Sequence, residues 1–213
     1  MFSWIVIALI IGYIIGCMHG SLAAQLLTGV NIKKEGVKNS GASNAAIVLG
    51  WKYGALVAFL DILKGAVAVM VFRWALGASA LTEETVWALL FVVGAGVVIG
   101  HNFPFYMKFN GGKGTAAVIG VMLALDWKLG IAGLLLLIGA AFATNYLVVG
   151  VLFLYTMFFA IAWWPAQGPL PLLIAAILFA MAVFKHIENI SRIADGTENK
   201  VSSVFRKKPA RSA

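Results

Sequence analysis

The sequence predicts an all-α, polytopic membrane protein with seven transmembrane helices, its N-terminus outside and its C-terminus cytoplasmic. Three observations predict it. Of the 213 residues, 62% are hydrophobic and 11% are charged, whereas soluble domains carry about a quarter charged residues. The apolar residues fall into long runs suited to a bilayer, which takes roughly 20 residues per helix. The Lys and Arg residues sort almost wholly to alternate connections between those runs.

The first span runs from Phe2 to about Gly29. No basic n-region precedes it and its apolar run outlasts a signal-peptide core, so it reads as retained. Gly12, Gly16, Gly20 and Ser21 recur at a spacing that suits close helix contact. His19 reads as an uncharged imidazole bonded to a neighbouring helix, outside the catalytic set. The single cysteine, Cys17, excludes an intramolecular disulfide and a cysteine-based metal site.

Asn31 to Lys52 is a polar segment whose core, Asn39-Ser40-Gly41-Ala42-Ser43-Asn44, mixes small residues with side-chain donors. It suits a loop folded round a ligand, and equally an ordinary connection whose lysines set orientation. Tyr53 to about Leu76 is the second span. It contains Asp61 and Lys64, each costing about 2.5–3.5 kcal/mol at mid-membrane, and their spacing puts them on one helical face as an ion pair. Thr82 reads as the N-cap of a third span ending near Gly100.

Gly100 to Ala117, GHNFPFYMKFNGGKGTAA, is a polar, glycine-rich break. Ala116 to Leu125 beyond it is short for a span unless its helix begins near Gly114, which would aim free amides at whatever Lys113 binds. Leu129 to Asn145 and Leu147 to Trp164 form a hairpin turning at Thr144-Asn145-Tyr146. Pro165 to Pro171 makes the next turn, and Leu172 to Phe184 begins the last span. It ends in FKHIENISRIADGTENK and a basic tail. The organisation is one membrane-embedded domain, residues 1–200, and a basic cytoplasmic tail, residues 201–213.

With the N-terminus outside, the inner segments hold thirteen Lys and Arg residues and the outer turns hold Arg73 and Lys128 beside Glu83, Glu84 and Asp126. The net charge of +8 is therefore an orientation signal and not a nucleic-acid footprint. It also places three glycine-, asparagine-, lysine- and histidine-bearing clusters on one face. These lack an acidic pair for glycoside chemistry, and His19, His101 and His186 fall on different spans, so no metal site is expected. They offer donors to an anion. Lys113, Lys108 and Arg192 neutralise a phosphate, the Gly111 to Gly114 amides cradle it, and Asn39, Asn44 and Asn189 orient hydroxyls. NGGKGT is not a Walker A loop, since Met107 stands where that motif needs glycine and Gly114 where it needs Ser or Thr.

Three stretches, GVKNSGASN at Gly36 to Asn44, GHNFPFYMKFNGGKG at Gly100 to Gly114 and FKHIENISRIADGTE at Phe184 to Glu198, together with LGWKYGALVAFLDILKG at Leu49 to Gly65, resemble the bacterial acyl-phosphate:glycerol-3-phosphate acyltransferase family, PlsY. The resemblance implies a seven-helix enzyme of the bacterial inner membrane, its active site towards the cytoplasm. Such an enzyme moves a fatty acyl group from acyl phosphate to the 1-hydroxyl of glycerol 3-phosphate, giving lysophosphatidate and phosphate at the start of phospholipid synthesis. It implies no cofactor, and an enzyme that supplies acyl phosphate as partner. The chain departs from the family pattern at Val37, Ile47 and Val148, where two serines and an arginine are usual, and at Cys17 and His19 in helix one.

On this reading Lys113, His186 and Asn189 are catalytic, with His186 the base and Glu198 its orienter, or else a substrate phosphate takes the proton. Lys38, Asn39, Ser43, Asn44, His101, Asn102, Gly111, Gly112, Gly114, Arg192, Thr197 and Glu198 bind substrate. A transporter of phosphorylated metabolites is the rival class, disfavoured because the clusters share one face. A degenerate member that only binds, or takes another acceptor, is the second alternative.

Overall fold

The structure, a computed structural model, describes residues 2–163 and 168–205. Pro165 in the expected turn and the tail beyond Phe205 lie outside the described residues. Among those described it is all helical: α1 (Phe2–Gly16), α2 (Gly20–Thr28), α3 (Ala42–Leu49), α4 (Trp51–Leu76), α5 (Glu83–Asn102), α6 (Thr115–Leu125), α7 (Trp127–Thr144), α8 (Leu147–Trp163) and α9 (Leu170–Ala194), with short 3-10 turns between some of them. Five segments are long and apolar enough to cross a bilayer, and α6 and α8 are shorter apolar helices. The chain is an integral membrane protein.

The bundle is built round α5, which is buried almost continuously from Ala88 to Asn102. Lipid gives helices no hydrophobic reason to associate, so close backbone approach through small residues supplies the contact. Gly12 of α1 lies on Val93 and Gly96, Gly16 lies on Val97, and Gly100 of α5 lies on Tyr13 and Cys17. The contacts advance together, so α1 and α5 run parallel. Ile62 against Gly120, Gly65 against Val121 and Arg73 against Leu125 O advance together, so α4 and α6 are also parallel. Gly133 against Leu154 and Gly150 against Leu137 pack α7 and α8 antiparallel about Asn145, which takes the left-handed conformation, φ 65°, that the hairpin requires.

Three sequence expectations change. The first span is two helices, broken over Cys17 to His19. The break is stable because α4 satisfies its freed groups: Lys64 Nζ donates to Gly16 O (3.0 Å) and Met18 O (2.9 Å), and Gly20 N donates to Asp61 Oδ1 (3.1 Å). The last helix begins at Leu170 and not at Leu172, and it carries the third polar cluster on regular helix as far as Ala194. The first polar segment is likewise not all loop, since its Asn44 end is the helix α3. Thr82 caps α5 as expected, accepting from Thr85 N. Helix α6 does begin beside Gly114, yet its 11 residues rise only about 16 Å, half of a bilayer core of about 30 Å. The glycine-rich loop before it folds back onto the last turn of α5.

Candidate functional site

Contacts between distant segments sort the connections to two ends of the bundle. Lys33 reaches Asn110, Lys113 reaches Asn189, Lys185 lies over Phe103, and Val201 N bonds Asn145 O. All three polar clusters therefore meet at one end. Arg73 beside Leu125 O and Gly168 beside Glu84 mark the other.

Glycine in the central loop answers close packing. Gly112 N donates to His101 O and Gly111 N to Asn102 O, each at 3.0 Å, which folds the loop against α5. A Cβ on Gly112 would overlap His101 Nε2, and one on Gly111 would overlap His101 O. Gly114 has φ +82°, a conformation that glycine alone adopts at no steric cost. This corrects the expected cradle: the Gly111 and Gly112 amides are taken by backbone carbonyls. The free donors lie one step later, in the first turn of α6, whose ladder begins only with Val118 N to Gly114 O. A helix N-terminus of this kind suits an anion.

Lys113 points from that turn to α9. Its ammonium donates to Asn189 Oδ1, Asn189 Nδ2 donates to Glu198 Oε1 (2.6 Å), and Arg192 Nε donates to Glu198 Oε2 (2.6 Å). Thr197 is exposed and its amide caps Arg192 O (2.8 Å). Burial, with the Arg192 charge next in importance, lowers the Lys113 pKa to about 8. His186 lies one turn before Asn189, buried, its Nδ1 donating to Ala182 O at 2.8 Å. That assignment leaves Nε2 as an acceptor. Glu198 does not orient His186 as the sequence suggested: its oxygens are bound by Asn189 and Arg192, and a backbone carbonyl holds the imidazole.

The first segment divides. Asn44 is fully buried, its Nδ2 within bonding distance of Ile32 O (2.7 Å), Asn39 O (2.8 Å) and Glu35 O (3.0 Å), while its Oδ1 accepts from Val37 N (2.9 Å). Its capacity is used in shaping the loop. Lys38 and Ser43 are exposed and Asn39 half-buried. Lys38 adopts φ 54°, an uncommon conformation for a side-chain-bearing residue.

Behind the loop lies a second cluster, of which the sequence reading counted His101 and Asn102 in the site and left out His19, Asp61 and Lys64. Lys64 Nζ is 2.9 Å from Asp61 Oδ1 and 2.8 Å from His101 Nδ1. The His19 and His101 rings stack with centroids 4.5 Å apart. His19 has no hydrogen-bond partner among the described residues, so the expected bond to a neighbouring helix is replaced by this stacking. Asn102 sits buried beneath Gly114. The expectation that the histidines stay apart also changes: His19, Asp61 and His101 each bring a ligand atom within 4.8 Å of the others. The Lys64 ammonium already occupies that position electrostatically, and a metal ion would stand against it, so we assign none.

An all-helical integral membrane protein with a lysine, a helix N-terminus and a histidine at one polar end is the frame of an enzyme that handles phosphorylated, lipid-linked substrates. The comparisons agree with that class. The family model described as glycerol-3-phosphate acyltransferase matches residues 6–196, and the chain belongs to that family. It is 43% identical to glycerol-3-phosphate acyltransferase 1 of Oceanobacillus iheyensis, over 95% of this chain and 98% of that one. It is 32% identical to glycerol-3-phosphate acyltransferase of Thermoanaerobacter sp. strain X514, over 92% and 95%. The crystal structure of PlsY in its glycerol 3-phosphate form superposes with TM-score 0.81 at 27% identity, covering 95% of this chain and 99% of that one. The lysophosphatidic acid form gives 0.80 at 28%, covering 94% and 98%.

Tyr106, Lys33 and Lys185 were missed by sequence reasoning. Tyr106 OH donates to Cys17 O at 2.6 Å, tying the loop to the helix break. Its signal was an aromatic residue with a polar tip inside a polar loop. Lys33 and Lys185 carried no local signal beyond charge.

Proposed function

We propose that this chain transfers a fatty acyl group from acyl phosphate to the 1-hydroxyl of glycerol 3-phosphate, releasing lysophosphatidate and inorganic phosphate. The observation that carries this is the convergence of Lys113, the free first turn of α6, Asn189 and His186 at one end of a lipid-embedded bundle. In the step itself the acceptor oxygen attacks the acyl carbonyl carbon, its proton passes to His186 Nε2 or to a phosphate oxygen, and the carbon–oxygen bond to phosphate breaks. Lys113 and the α6 amides hold phosphate, and Asn189 places Lys113. Arg192, Glu198 and Thr197 brace Asn189, Asn44 shapes the Lys38–Ser43 loop with Asn39 at its edge, and His101, Asn102, Gly111, Gly112 and Gly114 fix the loop that presents Lys113.

Seven crossings fit this arrangement, counting α1 with α2 as one and excluding α3. Helices α1 and α5, and α4 and α6, each an even number of crossings apart, run parallel as alternation requires, and α7 and α8 run antiparallel. The lysine-rich end is the cytoplasmic one by the positive-inside rule, which puts the N-terminus outside a bacterial inner membrane and a single embedded domain over residues 1–200, ahead of the basic tail. An enzyme that makes acyl phosphate is the natural supplier.

The test is purified protein in detergent with acyl phosphate and glycerol 3-phosphate, following phosphate and lysophosphatidate, with acyl-CoA as control donor. Turnover with acyl phosphate alone is expected. Turnover with acyl-CoA, or phosphate movement across liposomes without acylation, would overturn the reading.

A further inference from the structure

The acyl transfer proposed above brings two phosphorylated groups together, and the Lys113 cluster does not hold enough free positive charge for both. Its second cation, Arg192, is already matched by Glu198 at 2.6 Å and Glu188 at 3.7 Å. Lys113 is the one cation there without an ion pair among the described residues. A second phosphate beside the first would meet repulsion unless further cations face it.

Two more lysines converge on the neck of the same loop. Lys33 Nζ donates to Asn110 Oδ1 at 3.0 Å and to Gly111 O at 3.4 Å. Lys185 Nζ stands 5.1 Å from the centroid of the Phe103 ring. The neck is closed by Gly111 N to Asn102 O, so residue 103 and residue 111 leave it side by side and the two ammoniums approach one place, from the 3-10 turn Ile32–Lys34 and from α9 respectively. Burial first, and then the Lys185 charge, lower the proton affinity of Lys33. Neither lysine pairs with a carboxylate among the described residues. A carbonyl, a side-chain amide and an aromatic face orient a cation without neutralising it.

We propose that Lys33 and Lys185 form a second phosphate subsite next to Lys113, which holds the phosphate of one substrate while Lys113 and the α6 amides hold that of the other. The ligand class is a phosphate monoester or acyl phosphate headgroup. Lys33 on a short turn and Lys185 on α9 also make the subsite depend on the loop being closed, since both rest on its neck.

Kinetics of Lys33→Gln, Lys185→Gln and the two Arg variants test this, with KM measured separately for glycerol 3-phosphate and acyl phosphate and with inhibition by inorganic phosphate. Each Gln variant is expected to raise KM for the same one of the two substrates about tenfold or more, as loss of a charge-assisted contact does, with kcat changed little. The Arg variants restore it, and the affected substrate names the occupant. Unchanged KM values in Gln variants that melt like wild type would overturn the subsite while leaving acyl transfer intact. A second measurement needs no variant: amine-directed labelling of the wild-type chain, read by mass spectrometry with and without inorganic phosphate. Protection of Lys33 and Lys185 by phosphate is expected even if no acceptor is turned over. Protection of neither, or protection only by anionic lipid vesicles, would overturn the proposal.

Discussion

Two polar clusters of similar composition lie within a loop's width of each other and are built on opposite principles. Asp61, Lys64, His101 and His19 are between 1% and 8% exposed, and the Asp61–Lys64 pair uses its charges on the backbone of a broken helix. Lys113, Asn189, Arg192 and Glu198 are only half-buried and bind one another side chain to side chain across two segments. The first cluster is closed, with its ammonium matched by two carbonyls and a carboxylate. The second is open, and an incoming anion can exchange for its internal bonds. Burying charge is costly in both; the closed cluster recovers the cost in architecture, and on the function proposed above the open one recovers it in binding.

Removing a member of each should therefore produce different losses. Lys113→Ala is expected to lower kcat/KM by about a hundred- to a thousandfold, the range for deleting one preorganised electrostatic donor, with the thermal midpoint close to wild type. Near-normal turnover in a folded variant would break the assignment. Asp61→Ala should do the reverse and lose stability first, by about 3–5 kcal/mol, because it strands a buried ammonium. The double variant Asp61→Leu with Lys64→Met should recover only part of that, since the Gly16 and Met18 carbonyls would lose their donor. Full recovery, measured by thermal unfolding in detergent, would show that the pair does not hold the helix break.

The difference between the clusters also explains what the sequence disclosed. The Asp61–Lys64 pair was legible because a spacing of three on a helix is local geometry. Its purpose was not, since it depends on α1 ending at Gly16, which no residue before Cys17 announces. The convergence of His19 on His101 is tertiary and has no local pattern. Glycines 111, 112 and 114 stood out as a group, but composition alone does not separate room for a ligand from room for a neighbouring imidazole. The end at which the clusters meet was legible from lysine bias, and the helical run through Asn189 and Arg192 was masked by its polarity.

Gly112 is where the two clusters touch, so it sharpens the comparison at a smaller magnitude. Gly112→Ala places a methyl group on His101 Nε2, and overpacking of this kind costs about 1–3 kcal/mol. Because His101 is held by Lys64 on its other nitrogen, the loop must yield, carrying Lys113 with it. The expected result is a loss of activity larger than the stability change alone explains. Equal melting points and equal kcat/KM would show that the closed cluster and the loop are independent.

The smallest effect is a pH dependence belonging to the open cluster alone. With its pKa lowered to about 8 in the folded protein from 10.5 when unfolded, Lys113 binds fewer protons folded than unfolded between those values. Stability contributed through Lys113 therefore rises with pH across that window, and the penalty on its charge is fully present below it. Anion binding has the opposite sign, because it requires the protonated ammonium, which is lost as pH climbs through about 8. Above that point kcat/KM for the substrate held by Lys113 should fall about tenfold per pH unit, while the acid limb follows the second ionisation of the phosphate near about 6. A bound phosphate favours the charged lysine, so the kcat profile should break at a higher pH than kcat/KM does. Arg192, Glu188, Glu198 and Lys185 are the charged groups facing Lys113. Replacing Glu198 by Gln removes one of the charges that favour protonation, so the alkaline break should move to lower pH. A break that stays in place in Glu198→Gln would assign it to a group other than Lys113.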